Sequence, residues 1–180
     1  MVVVRLTLDQ FLSCVSDLGE LLADVVAGGS SLGFLSGLTA ADATTWWRER
    51  APAVDRGGLA VWVARDGAGR CVGTVSLAFT DWSNGTHRAE VVKLMVHEKA
   101  RGQGLGRTLL ATAERAAADA GITLLVLDTE TGSPAEPLYR TAGWTEVGVI
   151  PDYALDPSGV PRPTTLFYKR PGMEADEKGR

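Results

Sequence analysis

The segment EVVKLMVHEKARGQGLGRT, residues 90–108, has the residue types and spacing of an anion site. Val91 to Val96 is apolar or β-branched apart from Lys93 and predicts a buried strand; a charged turn, Glu98-Lys99-Ala100-Arg101, follows, and then glycines at 102, 104 and 106. From Leu105 the residues are small or helix-favouring (Thr108, Leu109, Leu110, Ala111, Ala113, Glu114, Ala116, Ala117), with Gly121 placed as a C-terminal cap. A strand, a glycine-rich turn and a helix N-terminus aim backbone N–H groups at one point, backed by the positive end of the helix dipole, and a phosphate fits there. Two carboxylates stand nearby in the pattern. Glu90 begins this strand and Asp128 ends the next predicted one, so both can open onto a common cleft, where a general base would sit. His87 and His97 are the only histidines: His97 closes the strand beside the loop as a cap, and His87, three residues before Glu90, falls on the opposite face of a regular strand.

Three kinds of protein hold phosphates in this way, and spacing separates them. A nucleoside-triphosphatase P-loop needs Gly-Lys-Ser/Thr, which does not occur. A dinucleotide fold gains some support from Asp128, about 20 residues beyond Gly106, where a ribose-binding acid would stand. Its glycines, however, should run G-x-G-x-x-G directly after the strand, whereas here they run G-x-G-x-G after a charged turn, once and mid-chain. Arg101-x-x-Gly104-x-Gly106 resembles the coenzyme A pyrophosphate loop of the GNAT superfamily of acyl-CoA-dependent N-acyltransferases.

The elements that must position these residues can be read in order. Val2 to Leu6 predicts a short strand, and Thr7 with Gln10 a capping box that opens a helix whose buried face is Phe11, Cys14, Val15, Leu18, Leu22 and Val25. A flexible glycine- and serine-rich connection over 28–37 leads to a second helix, opened by Thr39 and Asp42 and carrying Trp46 and Trp47. Phe34 and the tryptophans either wall an acceptor pocket or pack helix onto sheet, two readings of equal weight. Leu59 to Ala64 and Cys71 to Thr80 form a hairpin about Asp66–Gly69; the organising strand and its helix follow, then a strand over Ile122 to Leu127. Strand, helix, strand implies a parallel right-handed crossover. Pro134 predicts the first turn of a short helix capped near Gly143, and Trp144 to Ile150 and Thr164 to Lys169 the last strands, separated by a loop holding Pro151, Pro157, Pro161 and Pro163. The expected architecture is an α/β fold of mixed α+β character: one domain over 1–170, a mostly antiparallel mixed sheet with one parallel crossover and helices on both faces. Residues 171–180, charged and nearly without apolar side chains from Met173, predict a frayed tail.

Composition limits the function. With 180 residues, 45% hydrophobic and 22% charged, the chain suits one soluble domain, and a formal charge of −4 gives no general attraction to nucleic acid or to an anionic membrane. Cys14 and Cys71 lie far apart with no C-x-x-C or Cys/His cluster, which argues against a disulfide framework or a metal site. Asp9, Asp17 and Glu20 interrupt the N-terminal apolar residues, so no signal peptide or membrane span is expected, and a cytoplasmic location is the default. A homodimer is compatible with the sequence and is not written in it.

The element order is also that of a GNAT fold from Val2 to about Arg170. Within that span HRAEVVKLMV (87–96), ARGQGLGRTLL (100–110), LDTETGSPAEPLYRTAGWTEVG (127–148) and the proline loop before TTLFYK (164–169) resemble the branch containing the tabtoxin resistance acetyltransferase. The resemblance implies acetyl-CoA as co-substrate, no metal, and transfer by direct attack of an amine on the thioester. The coenzyme-binding loop is then Arg101, Gly102, Gln103, Gly104, Leu105, Gly106, Arg107 and Thr108, in which the amides from Gln103 to Thr108 reach the pyrophosphate, Arg101 adds a cation and the Arg107 side chain is either a further phosphate contact or a solvated charge; the resemblance implies that the backbone of Leu94, Met95 and Val96 pairs with the pantetheine arm. It assigns Tyr139 as the acid that protonates the departing thiolate, and Glu90 and Asp128 as base and acceptor-attracting charges. A phenol of pKa near 10 suits a thiolate near 8.5, and an ammonium near 10 needs a base to free its lone pair at neutral pH. The expected acceptor is a small polar amine, with toxins and antibiotics among the candidates. A protein N-terminus or lysine, or a non-catalytic acyl-CoA-binding module, are the alternatives.

Overall fold

Helix α1, Leu8–Ala27, starts where the capping box predicts: the Gln10 amide donates to Thr7 Oγ1 at 3.3 Å and the Thr7 amide donates to Gln10 Oε1 at 2.9 Å. Its 3.6-residue apolar period turns every predicted core residue inward, so Phe11, Cys14, Val15, Leu18, Leu22 and Val25 are all buried. The computed structural model describes residues 2–172. After α1 come α2 (Ala40–Arg48, opened by Thr39 accepting from the Asp42 amide), α3 (Ala51–Asp55), α4 (Leu105–Asp119) and α5 (Glu136–Thr141).

The strands are β1 (Val3–Arg5), β2 (Leu59–Arg65), β3 (Cys71–Phe79), β4 (Arg88–Val96), β5 (Leu124–Glu130), β6 (Thr145–Leu155) and β7 (Pro161–Lys169). They form one seven-stranded sheet in the order β1-β2-β3-β4-β5-β7-β6, antiparallel except for β4 and β5. That is the expected mixed sheet with one parallel crossover, the crossing element being α4. Helices cover both faces. α1 and α2 pack with Val61, Val63 and Met95 on one, and α4 packs with Trp62, Val75, Leu77, Ala89, Val91, Leu125 and Leu127 on the other.

Three local expectations need correction. The proline-rich stretch is mostly strand: β6 runs through Pro151 to Leu155 and β7 begins at Pro161, leaving a tight turn at 156–160. β6 is an edge strand, where a residue without an N–H is tolerated, and its pairing slips between Ile150 and Ala154, a bulge in which Asp152 has φ 49°. The short helix takes Pro137, not Pro134, into its first turn, while Gly143, at φ 80°, stands just beyond its end as expected. Glu90 and Asp128 do not terminate strands. Glu90 is the third residue of β4, and Asp128 is paired within β5 opposite Leu166 of β7. The tail from Met173 lies outside the described residues.

Candidate active site

The parallel pairing of β4 and β5 is short: Arg88, Ala89 and Glu90 lie opposite Leu124, Leu125 and Val126, and there the register ends. β5 continues against β7, while β4 bends away through a bulge, its register with β3 passing from Val92↔Ser76 to Met95↔Thr74. One extra residue enters there, and Lys93 carries it at φ 53°. The sheet therefore opens into a wedge between two adjacent strands. Val91 to Val96 face that gap without a β5 partner, and a ligand can pair there as an added strand would.

At the wide end of the wedge stands the N-terminus of α4. His97 Nδ1 accepts from the Lys99 amide at 3.2 Å and starts a single 3-10 turn, Glu98–Ala100, that carries the chain into the loop. Gly102 and Gly104 both lie in the left-handed region, at φ 74° and 77°, and Gly104 caps the helix without a side-chain hydrogen bond. The amides of Gly104, Leu105, Gly106 and Arg107 precede the first intrahelical bond, so they are free to donate outward. Thr108 is different, since its amide already donates to Gly104 O at 3.0 Å, which narrows the predicted set of donors by one. Gly106 is an ordinary helical residue; a Cβ there would meet Leu138 Cδ2 at 3.4 Å and Val96 Cγ2 at 3.8 Å. Arg101 is exposed, with Nε donating to Val96 O at 3.1 Å. Arg107 leans the other way, onto Thr141 Oγ1 at 2.7 Å, and ties α4 to α5. Open amides, a helix dipole and a sheet gap together fit a coenzyme with a pyrophosphate and an extended amide-containing arm.

Strand alternation sets the rest. Ala89 and Val91, and Leu125 and Leu127, face α4, so Glu90 and Asp128 face the opposite side, toward α1 and α2. Both carboxylates are open to solvent at the wedge, yet both are held above the usual carboxylate range. For Glu90 the causes are desolvation and then the charge of Asp128, opposed by Lys93 and Arg88. For Asp128 desolvation leads, opposed by Lys93.

Tyr139 reaches the wedge from the α4 side. Its ring lies 6.1 Å from Trp144 and 5.9 Å from Phe167, and the residue is 6% exposed. Burial, and then the charge of Asp128, push its pKa up to about 12, so the phenol stays protonated at neutral pH. Its hydroxyl has no hydrogen-bond partner among the described residues and is not among the polar atoms sealed from solvent without one, which leaves it free to donate. α5 is fixed by Glu136, whose carboxylate accepts from the Gly132 amide at 2.6 Å, Arg140 at 2.7 Å and Thr165 Oγ1 at 3.1 Å; Arg140 also pairs with Glu146. The Gly132 amide, then Arg140 and Thr165 hold Glu136 below the usual carboxylate range.

Over the α1 face of the wedge runs the α1–α2 loop. The Lys93 ammonium donates to Leu32 O at 2.8 Å, and the Ser36 amide donates to Pro157 O at 2.7 Å in the β6–β7 turn. The loop is thus anchored to β4 on one side of the gap and to the far hairpin on the other. The two tryptophans both serve the packing of helix onto sheet. Trp47 is core, buried against Phe11 with Nε1 donating to Leu18 O at 3.1 Å. Trp46 is partly buried, packs against the same core, and turns toward Phe34 (5.4 Å between rings) and Lys93. Sequence reasoning missed Lys93 and Glu136 altogether. A lone charge inside an apolar strand was the available signal for the first, and an i, i+4 Glu–Arg pair beside Tyr139 for the second.

The pattern of the acetyltransferase (GNAT) family matches residues 33–144. The chain belongs to that family. Its fold is similar to a ribosomal-protein-alanine N-acetyltransferase from Brucella melitensis, at 24% identity and TM-score 0.76 over 94% of this chain and 99% of that one. It is also similar to a phosphinothricin acetyltransferase from Sinorhizobium meliloti in complex with acetyl-CoA, at 17% identity and TM-score 0.79 over 96% and 90% of the two chains. A third likeness is to yncA of Salmonella typhimurium with its cofactor acetyl-CoA, at 17% identity and TM-score 0.74 over the whole of both chains.

Proposed function

We propose that the protein transfers an acetyl group from acetyl-CoA to the amine of a small polar molecule, with toxins and antibiotics among the candidates, by direct attack of the amine on the thioester. The observation that carries this reading is the anchored α1–α2 loop. A strand-like peptide would need an open groove across the wedge, whereas the loop crosses it from Lys93 to Pro157. The likeness of residues 87–169 to the tabtoxin-resistance branch points the same way.

The chain's own groups then have distinct tasks. Acetyl-CoA supplies the activated acyl group. The amides of Gly104 to Arg107 hold and orient its pyrophosphate, and the unpaired edge of β4 at Leu94, Met95 and Val96 lines up the arm so that the thioester lies between Glu90 and Tyr139. Asp128 and Glu90 draw in the ammonium and take its proton, directly or through water. Their desolvation favours this, because a carboxylate held above its usual range is the stronger base. Tyr139 gives its proton to the departing sulfur; a thiolate is a weaker base than the phenolate, but bond breaking proceeds with the proton in flight.

A panel of small amines and of peptides with free N-termini and lysines, scored by coenzyme A release, tests the reading. Acetylation of at least one small amine more efficiently than any peptide is expected. Peptides acetylated faster than every small amine in a broad panel would move the function to a protein acceptor.

A further inference from the structure

Strand β4 passes the chain to the coenzyme loop through one residue, His97. Its amide donates to Val72 O of β3 at 2.9 Å, so its backbone still belongs to the sheet, while its carbonyl accepts from the Ala100 amide at 2.9 Å and belongs to the 3-10 turn. Its side chain joins the two, Nδ1 accepting from the Lys99 amide at 3.2 Å. The turn is three residues long, Glu98–Ala100, and adds one more backbone bond, from the Arg101 amide to Glu98 O at 3.1 Å. So short a turn has little cooperativity of its own, and a side-chain acceptor for a free N–H is a large part of what fixes it. Beyond Arg101 the two left-handed glycines aim the open amides of α4, so the turn sets where those amides point.

The cap works in one protonation state. A neutral imidazole has one N–H and one bare nitrogen, and here the bare nitrogen is Nδ1, which places the hydrogen on Nε2. Nε2 lies 3.6 Å from Oδ2 of Asp24 in the last turn of α1, too far for a hydrogen bond but close enough for the carboxylate to favour that tautomer. A second proton would go to Nδ1. The imidazolium donates at both nitrogens, so Nδ1–H would confront the Lys99 N–H and the cap would be lost. The charged groups on the adjoining elements are Asp24 of α1, Glu98 and Lys99 of the turn, and Arg101, whose Nε is turned onto Val96 O. From β3 come the Val72 carbonyl and Cys71, whose thiol donates to Gly73 O at 3.5 Å. Among the described residues only Asp24 comes within ion-pair distance of the ring, and it acts on Nε2 rather than on Nδ1.

We propose that neutral His97, held in this tautomer by Asp24, is a positioning residue for acetyl-CoA: it shapes the pyrophosphate loop through the Lys99 amide, and its protonation releases the turn and weakens coenzyme binding. The inference rests on the acetyl-CoA reading of the loop given above. Its sign is opposite to that of a plain cation beside a pyrophosphate, which would bind the coenzyme better in acid.

Calorimetric titration of the full chain with acetyl-CoA at about pH 8 and about pH 5.5, on either side of the range in which imidazoles titrate, tests it. The proteins are wild type, His97→Asn, His97→Ala and Asp24→Ala, the last also combined with His97→Asn. The asparagine Oδ1 stands two bonds from Cβ, as Nδ1 does, and accepts at every pH. At about pH 8 His97→Asn should bind within about twofold of wild type and His97→Ala about fivefold more weakly. On going to about pH 5.5 wild type should lose about fivefold more affinity than His97→Asn, whose own change accounts for the coenzyme's titrating phosphates. Asp24→Ala should weaken binding at about pH 8 by about twofold in wild type and not in His97→Asn, since Asp24 acts through the ring. His97→Asn as weak as His97→Ala, equal acid losses in wild type and His97→Asn, or tighter binding by wild type in acid would each overturn the proposal and leave the coenzyme site standing. Should His97→Ala not fold, wild type against His97→Asn decides alone. Wild type that binds no acetyl-CoA at either pH would overturn the loop reading and this inference together.

Discussion

The two halves of the wedge are built by different means. On the proposed coenzyme side the donors are consecutive main-chain N–H groups from Gly104 to Arg107, and their geometry follows from two left-handed glycines and one helix start. On the proposed acceptor side Phe34, Trp46, Arg50, Glu90, Lys93, Asp128 and Tyr139 come from two connecting segments, two helices and two strands and meet only after the sheet has splayed. A backbone site is insensitive to most side-chain changes and suits a ligand common to a family. A side-chain site assembled at long range can be altered one residue at a time, which suits a ligand that differs between family members.

The sharpest way to separate the halves is Tyr139→Phe. Removing only the hydroxyl should lower kcat by about 10²–10⁴-fold and leave acetyl-CoA affinity nearly unchanged, since the ring keeps its packing against Trp144 and Phe167. Steady-state rates and calorimetry on the same preparation check both halves; a turnover near that of wild type, with chemistry limiting, would hand protonation to water.

Glycine substitutions probe the other half with a smaller effect. Gly106→Ala places a methyl at ordinary contact distance from Leu138 and should fold normally, yet weaken acetyl-CoA binding by about tenfold if the backbone must approach the pyrophosphate. Gly104→Ala meets no neighbour but is strained at φ 77°, so it should lower Tm as well as affinity. Unchanged calorimetric affinity in a folded Gly106→Ala protein would remove the loop from the coenzyme site.

The smallest expected effect is on stability, and its sign distinguishes carboxylates. Glu90 and Asp128 bind protons more readily folded than unfolded, so stability from them is present at low pH and lost as pH rises through their raised pKa values. Glu90→Gln and Asp128→Asn should therefore leave Tm at pH 7 unchanged or slightly raised, while activity falls. Glu136 is the reverse case: its contribution is present at neutral pH and lost as pH falls through its lowered pKa, so Glu136→Gln should lower Tm at pH 7 and lose that deficit in acid. Thermal unfolding of the three variants across pH reads the contrast directly.

What was legible in the sequence follows the same division. The capping box at Thr7, the core stripe of α1, the crossover and the glycine loop are set by spacings within a few residues, and the structure has them where expected. The wedge was not legible, because where β5 leaves β4 for β7 depends on pairings between distant segments. Lys93 could not be placed for a related reason: one inserted residue reverses strand parity, and nothing in the alternation of Val91 to Val96 announces it. The proline stretch misled because proline was weighed as a strand breaker, whereas an edge strand with a bulge accommodates it.

The most direct test of a single site that deprotonates an amine with Glu90 and Asp128 is the pH dependence of kcat/KM for wild type, Glu90→Gln and Asp128→Asn with one accepted small amine. At neutral pH the variants should be slower by about 10–10²-fold and should recover toward high pH more steeply than wild type, as an amine of pKa near 10 loses its proton unaided. Wild-type activity itself should decline on an acid limb lying above the ordinary carboxylate range, given the raised pKa values of both groups. Two variants that keep the wild-type profile across the whole range would contradict the assignment of either carboxylate as base.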